Sequence, residues 1–321
     1  MVLSPRFTIS STLMIVVTIF CISVIISISY VSFLETEQNL ITSYDRELKA
    51  SENLFSKSSI YIHRGLKLWD STYNDPLQQD MQYFISAYNK SKSNPAQINL
   101  IEVRNQINPL YRDRIDLYLI NSSGVIEYTT KKDEYLLDFR MWPDFFEKIK
   151  QMLNSDKFIP DEIVQGFNPG SPLMKYVYQS TPDHRYLAQI SLNVQNTSIN
   201  ERGLLSYGSL TSYVINQNPD LITLNVISSM GNLVIGKKDY LSGRLDPESK
   251  NISETVFKTH ERVIIPDPYN ETVTTYIFVP NAVEDTPSAS YMNLVGKFVF
   301  SSQDLDRKLA NNILLHLLLV I

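Results

Sequence analysis

From Phe7 to Leu34 the chain reads FTISSTLMIVVTIFCISVIISISYVSFL, 28 residues without a charge. About 20 apolar residues suffice to carry a helix across a bilayer. A cleavable signal peptide has an apolar core of about 7–15 residues and ends at small side chains. This run is longer and closes on Tyr30, Phe33 and Leu34. The expectation is an uncleaved transmembrane anchor over residues 1–34. Arg6 precedes the run, and Glu35 and Glu37 follow it. Basic residues favour the cytoplasmic side, so the body of the chain is expected outside the cytoplasm, at the cell membrane.

The other end raises the same question. SSQDLDRKLANN leads into ILLHLLLVI, nine residues. At about 1.5 Å per residue these cover about half of a hydrocarbon core. Residues 302–321 are therefore expected to be an exit helix running into a second membrane segment cut short. The alternative is a short amphipathic helix docked on the protein.

Directly after the anchor, Leu34, Ile41, Leu48, Phe55, Ile62 and Trp69 recur every seven residues, with no proline and only Gly65 as a glycine. This spacing predicts one long helix over 35–74 emerging from the membrane. The positions between them (Glu37, Tyr44, Ser51, Ser58, Gly65) make poor coiled-coil d residues. The stripe can serve a parallel homodimer or pack against its own domain.

Further on, Asn74-Asp75-Pro76 reads as a helix start, and a second helix is expected over roughly Pro95–Ile107. The pattern then changes period. IDLYLINSSGVIEYTT reads strand, turn, strand, followed by the helix WPDFFEKIKQMLN, the stretch KFIPDEIVQ, the loop GFNPGSP, and two strands about a Thr-Pro-Asp-His tip. LITLNVISSMGNLVIG at Leu221–Gly236 repeats the grammar of Leu117–Thr129. It too is followed by a helix, near Glu248–Thr259, and by the strands ERVIIP, ETVTTYIFVP and MNLVGKFVFSS. Ser198–Asn218 reads as a linking helix. This repetition signals duplication. The fold class is α+β, with antiparallel-sheet modules over 75–196 and 197–301.

Composition narrows the chemistry. The net charge is −5 and no basic stripe stands out, so no nucleic acid is expected as a partner. A single cysteine, Cys21, precludes an intramolecular disulfide, and His63, His184, His260 and His316 lack ligand spacing, so no metal is expected. GFNPGSP lacks the lysine and helix of a phosphate loop, and no HExxH, CxxC or GxSxG occurs. Asp183-His184 suggests a catalytic pair, but adjacent residues at a hairpin tip rarely aim at one another. No cofactor and no enzymatic activity are expected.

The stretches IDLYLINSSGVIEYTT, LDFRMWPDFFEKI and KYVYQSTPDHRYLAQISL resemble the membrane-distal module of double Cache sensor regions in archaeal and bacterial receptors such as sensor histidine kinases. The resemblance implies two tandem PAS-like modules between transmembrane helices. The distal one would hold a small ligand, the proximal one would couple to the exit helix, and the output domain would lie beyond this chain. Amino-acid-binding Cache receptors carry an Arg-x-Trp-Tyr arrangement here. Arg140-Met141-Trp142 matches its start, and Pro143 stands in place of the aromatic. In a small-molecule pocket Arg140 would fork onto a carboxylate or amino acid, with Trp142, Tyr118, Tyr128, Tyr176 and Tyr178 as walls. The competing reading makes Trp142 core and pairs Arg140 with Asp138 or Asp144. A tethered adhesion protein without signalling remains the alternative to a sensor, and a tethered hydrolase lacks a nucleophile–base set.

Overall fold

The computed structural model describes residues 9–165, 172–194, 207–229, 233–235, 245–280, 287 and 293–320. They form two compact units. One comprises Met1–Ser51, Pro266–Val273 and Phe300–Ile321, the other Glu52–Ile265 and Thr274–Val299.

Helix α1 (Ile9–Asp70) runs unbroken for 62 residues. Hydroxyls inside its apolar part return their hydrogens to the backbone: Thr18 to the Met14 carbonyl, Ser23 to Phe20 and Ser27 to Ser23. This removes the cost of a free donor in an apolar stretch. Among the described residues one helix is long and apolar enough to cross a membrane, and it contains this stretch. Of the seven-residue stripe, Leu48, Phe55, Ile62 and Trp69 are buried, while Leu34 and Ile41 are exposed. The buried part of the stripe packs within its own chain.

Within the first unit, helix α7 (Gln303–Val320) meets α1 through polar groups. The Ser29 hydroxyl lies 3.0 Å from His316 Nδ1, the Asn312 amide donates to the Phe33 carbonyl at 3.3 Å, and the Phe33 ring meets the His316 ring edge-on. Ser29 and Asn312 are buried, whereas Ile25, Ile28, Leu314, Leu315 and Leu318 are exposed. Burial is inverted relative to a protein packed in water.

In the second unit, α2 (Asn74–Lys90) starts at the expected Asn74. The expected helix over Pro95–Ile107 is instead a 3-10 turn, Pro95–Gln97, and a helix α3, Leu100–Gln106. The break lies at Asn99, whose side chain accepts from the Glu102 amide and caps the new helix.

The first sheet comprises β1 (Ile115–Asn121), β2 (Ile126–Thr129), β3 (Ile159–Pro160), β4 (Val164–Gln165), β5 (Leu173–Ser180) and β6 (Tyr186–Asn193), in the order β2-β1-β6-β5-β3 with β4 also on β5. Helix α4 (Pro143–Leu153) follows β2. The second sheet comprises β7 (Leu221–Ser228), β8 (Leu233–Ile235), β9 (Val263–Asp267), β10 (Thr272–Val279) and β11 (Leu294–Ser301), in the order β8-β7-β11-β10-β9. Helix α6 (Pro247–Thr259) follows β8. With β3 and β4 counted as one edge position, both sheets share the order second, first, fifth, fourth, third, with a helix after the second strand. The fold is the expected α+β class, a long helix followed by two antiparallel-sheet modules. Of the expected linking helix, the described part is α5 (Tyr207–Gln217), and residues 198–206 lie outside the described residues, as does most of GFNPGSP.

The β1–β2 turn depends on Gly124, at φ +80°, where an added Cβ would stand 2.7 Å from the Phe146 ring. The Asn121 carboxamide oxygen accepts from the Ser123 and Val125 amides across the same turn.

β3 and β4 are one edge strand interrupted by a bulge. Ile159 pairs with Tyr178 and Val164 with Met174, a shift of one residue across Asp161–Ile163. The bulge turns Asp161 and Glu162 inward. Lys175 of β5 is fully buried and reaches the Asp70 carboxylate at the end of α1, at 2.8–2.9 Å. Its ammonium also donates to the Asp161 carbonyl, while His63 of α1 lies 3.1 Å from Glu162. A second buried acid of α1, Glu52, accepts a two-nitrogen contact from Arg262 at 3.0–3.2 Å and the Thr275 hydroxyl at 2.6 Å. Burial pushes the Asp70 carboxyl up and the Lys175 ammonium down, and their mutual attraction offsets this only in part.

Lys175→Met leaves Asp70 buried without a counter-charge and is expected to cost about 3–5 kcal/mol in urea unfolding. Combining it with Asp70→Leu should restore part of that loss, whereas a double variant no better than the single one contradicts a coupled pair. Gly124→Ala should cost about 1–3 kcal/mol by the same measurement, from backbone strain and the Phe146 clash.

Candidate functional site

Strand alternation assigns the first sheet two chemically distinct faces. Gln189 of β6 stands opposite Tyr118 of β1 on one side and Tyr178 of β5 on the other, and Ser191 stands opposite Tyr176. These five side chains therefore share one face. Helix α4 and the turn before it cover that face with Phe139, Phe145, Ile149, Met152 and Leu153, and Trp142 packs against the same cluster. The other face carries Lys175, Leu117, Leu119 and Ile190 toward the helices.

α4 is held over its face from its C-terminal end. The Leu153 carbonyl accepts from the Ser180 hydroxyl at 2.7 Å and lies 2.8 Å from His184 Nδ1. His184 thus serves the hairpin tip and the end of α4. Asp183 instead accepts from the hydroxyls of Tyr88, at 2.9 Å, and Thr181, at 2.7 Å.

Polar groups on the covered face are incompletely paired. The Tyr118 and Ser191 hydroxyls lie 3.3 Å apart. Gln189 is 4% exposed, and its Oε1 has no hydrogen-bond partner. A buried carbonyl oxygen without a donor is uncommon, and Asn74 Oδ1, Asp80 Oδ2 and Arg104 Nε are left in the same way. Burial raises the Tyr118 and Tyr176 phenols above their usual range, and the negative charge of Glu134 pushes both further the same way, as does Asp116. Glu134 itself takes the Lys131 ammonium at 2.6 Å, and Asp116 takes the Thr130 hydroxyl at 2.8 Å with Arg104 at 3.7 Å.

Of the six residues expected to form a pocket, Tyr118, Tyr176 and Tyr178 lie together on this face, with Trp142 packed half-buried beside them. Tyr128 pairs with Leu119, which places it on the opposite face, where its ring meets Tyr186 at 6.2 Å. Arg140 is exposed and folds back on Asp138, with Nε and Nη2 contacts of 2.7–3.0 Å. Hydrogen bonds from the Arg140 side chain hold the Asp138 carboxyl below its usual range. Gln189 and Ser191 were not foreseen. Their signal is an alternation of polar with apolar residues in YLAQISLN, a strand whose two faces are both buried. Among the described residues no cluster of His, Cys, Asp or Glu could hold a metal ion.

No family model and no curated protein matches the chain. Among solved structures it is similar to the ligand binding domain of Mlp24 with asparagine, at 12% identity and TM-score 0.40, over 81% of this chain and 98% of that one. It is also similar to the sensor domain of the V. cholerae histidine kinase DctB, at 12% identity and TM-score 0.26, over 85% and 98%. An extracellular ligand binding receptor from Desulfohalobium retbaense is 9% identical with TM-score 0.31, over 74% of this chain, which spans 39% of that receptor chain. All three are ligand-binding or sensor domains.

The raised phenols carry a pH dependence whose sign is fixed. The fold favours the neutral form, so the contribution is present below about pH 10, where unfolded phenols ionise, and is lost as pH rises above it. Tyr118→Phe is therefore expected to move the midpoint of alkaline unfolding upward. An unchanged midpoint in an ultraviolet phenolate titration contradicts this.

Proposed function

We propose that this chain is the small-molecule-sensing region of a membrane-anchored signal-transduction receptor, with its main body outside the cytoplasm, and that it acts by binding rather than turnover. The observation that carries this reading is the buried, undonated Gln189 oxygen among three phenols and a serine under α4. A ligand donating to that oxygen would complete the hydrogen bonding of the face, as small-molecule sites are apolar cups with a few converging polar groups.

The membrane part of the reading rests on the inverted burial at the α1–α7 contact. Leucine and isoleucine point outward while Ser29, Asn312 and part of His316 are covered. Lipid is the solvent that favours this distribution, because polar side chains inside a bilayer turn toward neighbouring helices. α1 also has exposed Tyr61 and Leu68, one heptad apart, on a side its own chain does not cover. These two would be the contacts of a homodimer through the long helix. The carboxylate expected of the ligand depended on Arg140, and Asp138 already fills that fork.

A thermal-shift screen of the full chain in detergent, across amines, polyols and carboxylates, tests the binding reading. A saturating ligand at about 100 times its dissociation constant adds about 2.7 kcal/mol of stability. The expected result is a saturable rise in Tm that Gln189→Met removes. A chain that converts a compound rather than only binding it, or that no compound stabilises, contradicts the reading. The membrane part is tested separately. Ser29→Cys with His316→Cys, in a chain carrying Cys21→Ser, should form a disulfide in native membranes, and failure to do so contradicts the α1–α7 seam.

A further inference from the structure

Where α1 meets the bulged edge of the first sheet, buried acids outnumber buried bases. We propose that this junction is a proton-binding site, in which His63 and Glu162 together take up one proton from solution, so that acidification tightens the hold of the edge strand on α1. No side chain of the α4-covered face takes part in it.

Three elements bring the groups together. α1 supplies Ser59, His63 and Asp70, the bulge Asp161 and Glu162, and β5 Lys175, and none of these residues is more than 8% exposed. Three carboxylates thus stand with one ammonium. Lys175 is engaged by the Asp70 carboxylate and the Asp161 carbonyl, and the Asp161 carboxylate accepts from the Glu162 amide at 2.9 Å. Lys57, Arg64 and Lys67, the other bases on this stretch of α1, are exposed. Asp80, the buried acid of α2, is turned to the Asn108 amide. GFNPGSP, which follows β4 in the chain, contains no ionisable side chain. The base left for Glu162 is His63.

His63 Nε2 lies 3.1 Å from Glu162 Oε2, and neither atom has a hydrogen-bond partner besides this contact. Two bare acceptors repel at such a separation, so one of the two carries hydrogen. Without a further proton, the pair is a carboxylate facing a neutral ring and keeps one uncompensated negative charge. With it, the pair is either imidazolium with carboxylate or imidazole with carboxylic acid, and its net charge is zero in both. Burial therefore favours uptake whichever group holds the proton, because an uncompensated buried charge is the costlier state. Burial is also the main cause that raises the Asp70 carboxyl, and the negative charge of Glu162 adds to it against the attraction of Lys175. The charge on Glu162 is thus felt across the cluster, and neutralising the pair relieves Asp70 as well.

The sign of the pH dependence follows. Imidazole is the one side chain whose ordinary range lies between about pH 5 and 8. The folded pair holds its proton to higher pH than the unfolded chain does. The stabilising contribution is therefore complete below about pH 6.5 and is lost as pH rises above it. This is opposite to the usual effect of paired carboxylates, whose contribution is lost on acidification.

Urea unfolding of the full chain in detergent, repeated at several pH values between about 6 and 8, reads this directly. The wild type is expected to lose stability as pH rises, its unfolding equilibrium constant growing by up to about tenfold per pH unit for one proton. His63→Gln and Glu162→Gln should each flatten that slope. His63→Leu combined with Glu162→Met replaces the pair by apolar side chains, a change that buried ion pairs tolerate, and should fold and show no slope even where a single variant does not fold. His184→Gln, at the β5–β6 hairpin tip, should keep the wild-type slope. A wild-type stability that is flat or rises over this range overturns the inference. So does a slope that survives in the double variant, or one that disappears with His184→Gln.

Discussion

A lysine with no solvent exposure in the middle of a strand dictates much of what surrounds it. Lys175 cannot sit in β5 unless acceptors are brought to it, and two separate segments do so. α1 continues to Asp70, its last residue, whose carboxylate takes the ammonium, and the bulge at Asp161–Ile163 brings the Asp161 main-chain carbonyl to it. Removing either would leave a buried charge unsatisfied, a far larger penalty than losing a surface ion pair. The end of α1 and the irregular edge are thus tied together through one side chain.

The long helix meets the two sheets by the same device. Glu52 and Asp70 are 18 residues apart, about five full turns at 3.6 residues each, so both acids project from one side of α1. Glu52 is answered by Arg262 and Thr275 of the second sheet, Asp70 by Lys175 of the first. Hydrophobic contact along Phe55, Ile62 and Trp69 supplies the bulk of the interface. Such contact tolerates sliding, whereas a buried ion pair does not. The two acids fix the register of the helix against strands that apolar packing alone would leave free to shift by a turn.

What was legible in the sequence follows period and punctuation. The apolar run and the heptad stripe fall on one helix from Ile9, with Leu48, Phe55, Ile62 and Trp69 of the stripe buried and Leu34 and Ile41 exposed, and the strand–turn–strand grammar around Asn121–Gly124 appears as read. The expected helix over Pro95–Ile107 breaks at Asn99, whose side chain caps the following turn, a role that apolar spacing does not signal. The covered face was half legible. Tyr118, Tyr176 and Tyr178 fall together because alternation and strand pairing coincide, while Tyr128 is lost to the other face by one position of register. Gln189 and Ser191 became meaningful only when β6 proved to be a central strand buried on both sides. Strand order is a long-range property that no local pattern encodes.

Arg140 shows why a short motif and its setting must be weighed together. Arg-x-Trp before a helix suggests an anion clamp, yet Asp138 lies two residues earlier and accepts both the Arg140 amide and its guanidinium. The polar groups that do face inward are carried by β5 and β6 instead. β5 bears Tyr176 and Tyr178 on the covered face and Lys175 on the other. A ligand that draws those phenols toward itself acts on the same strand that holds the end of α1. The chemistry of recognition and the constraint on the long helix thus meet in eight residues of one strand.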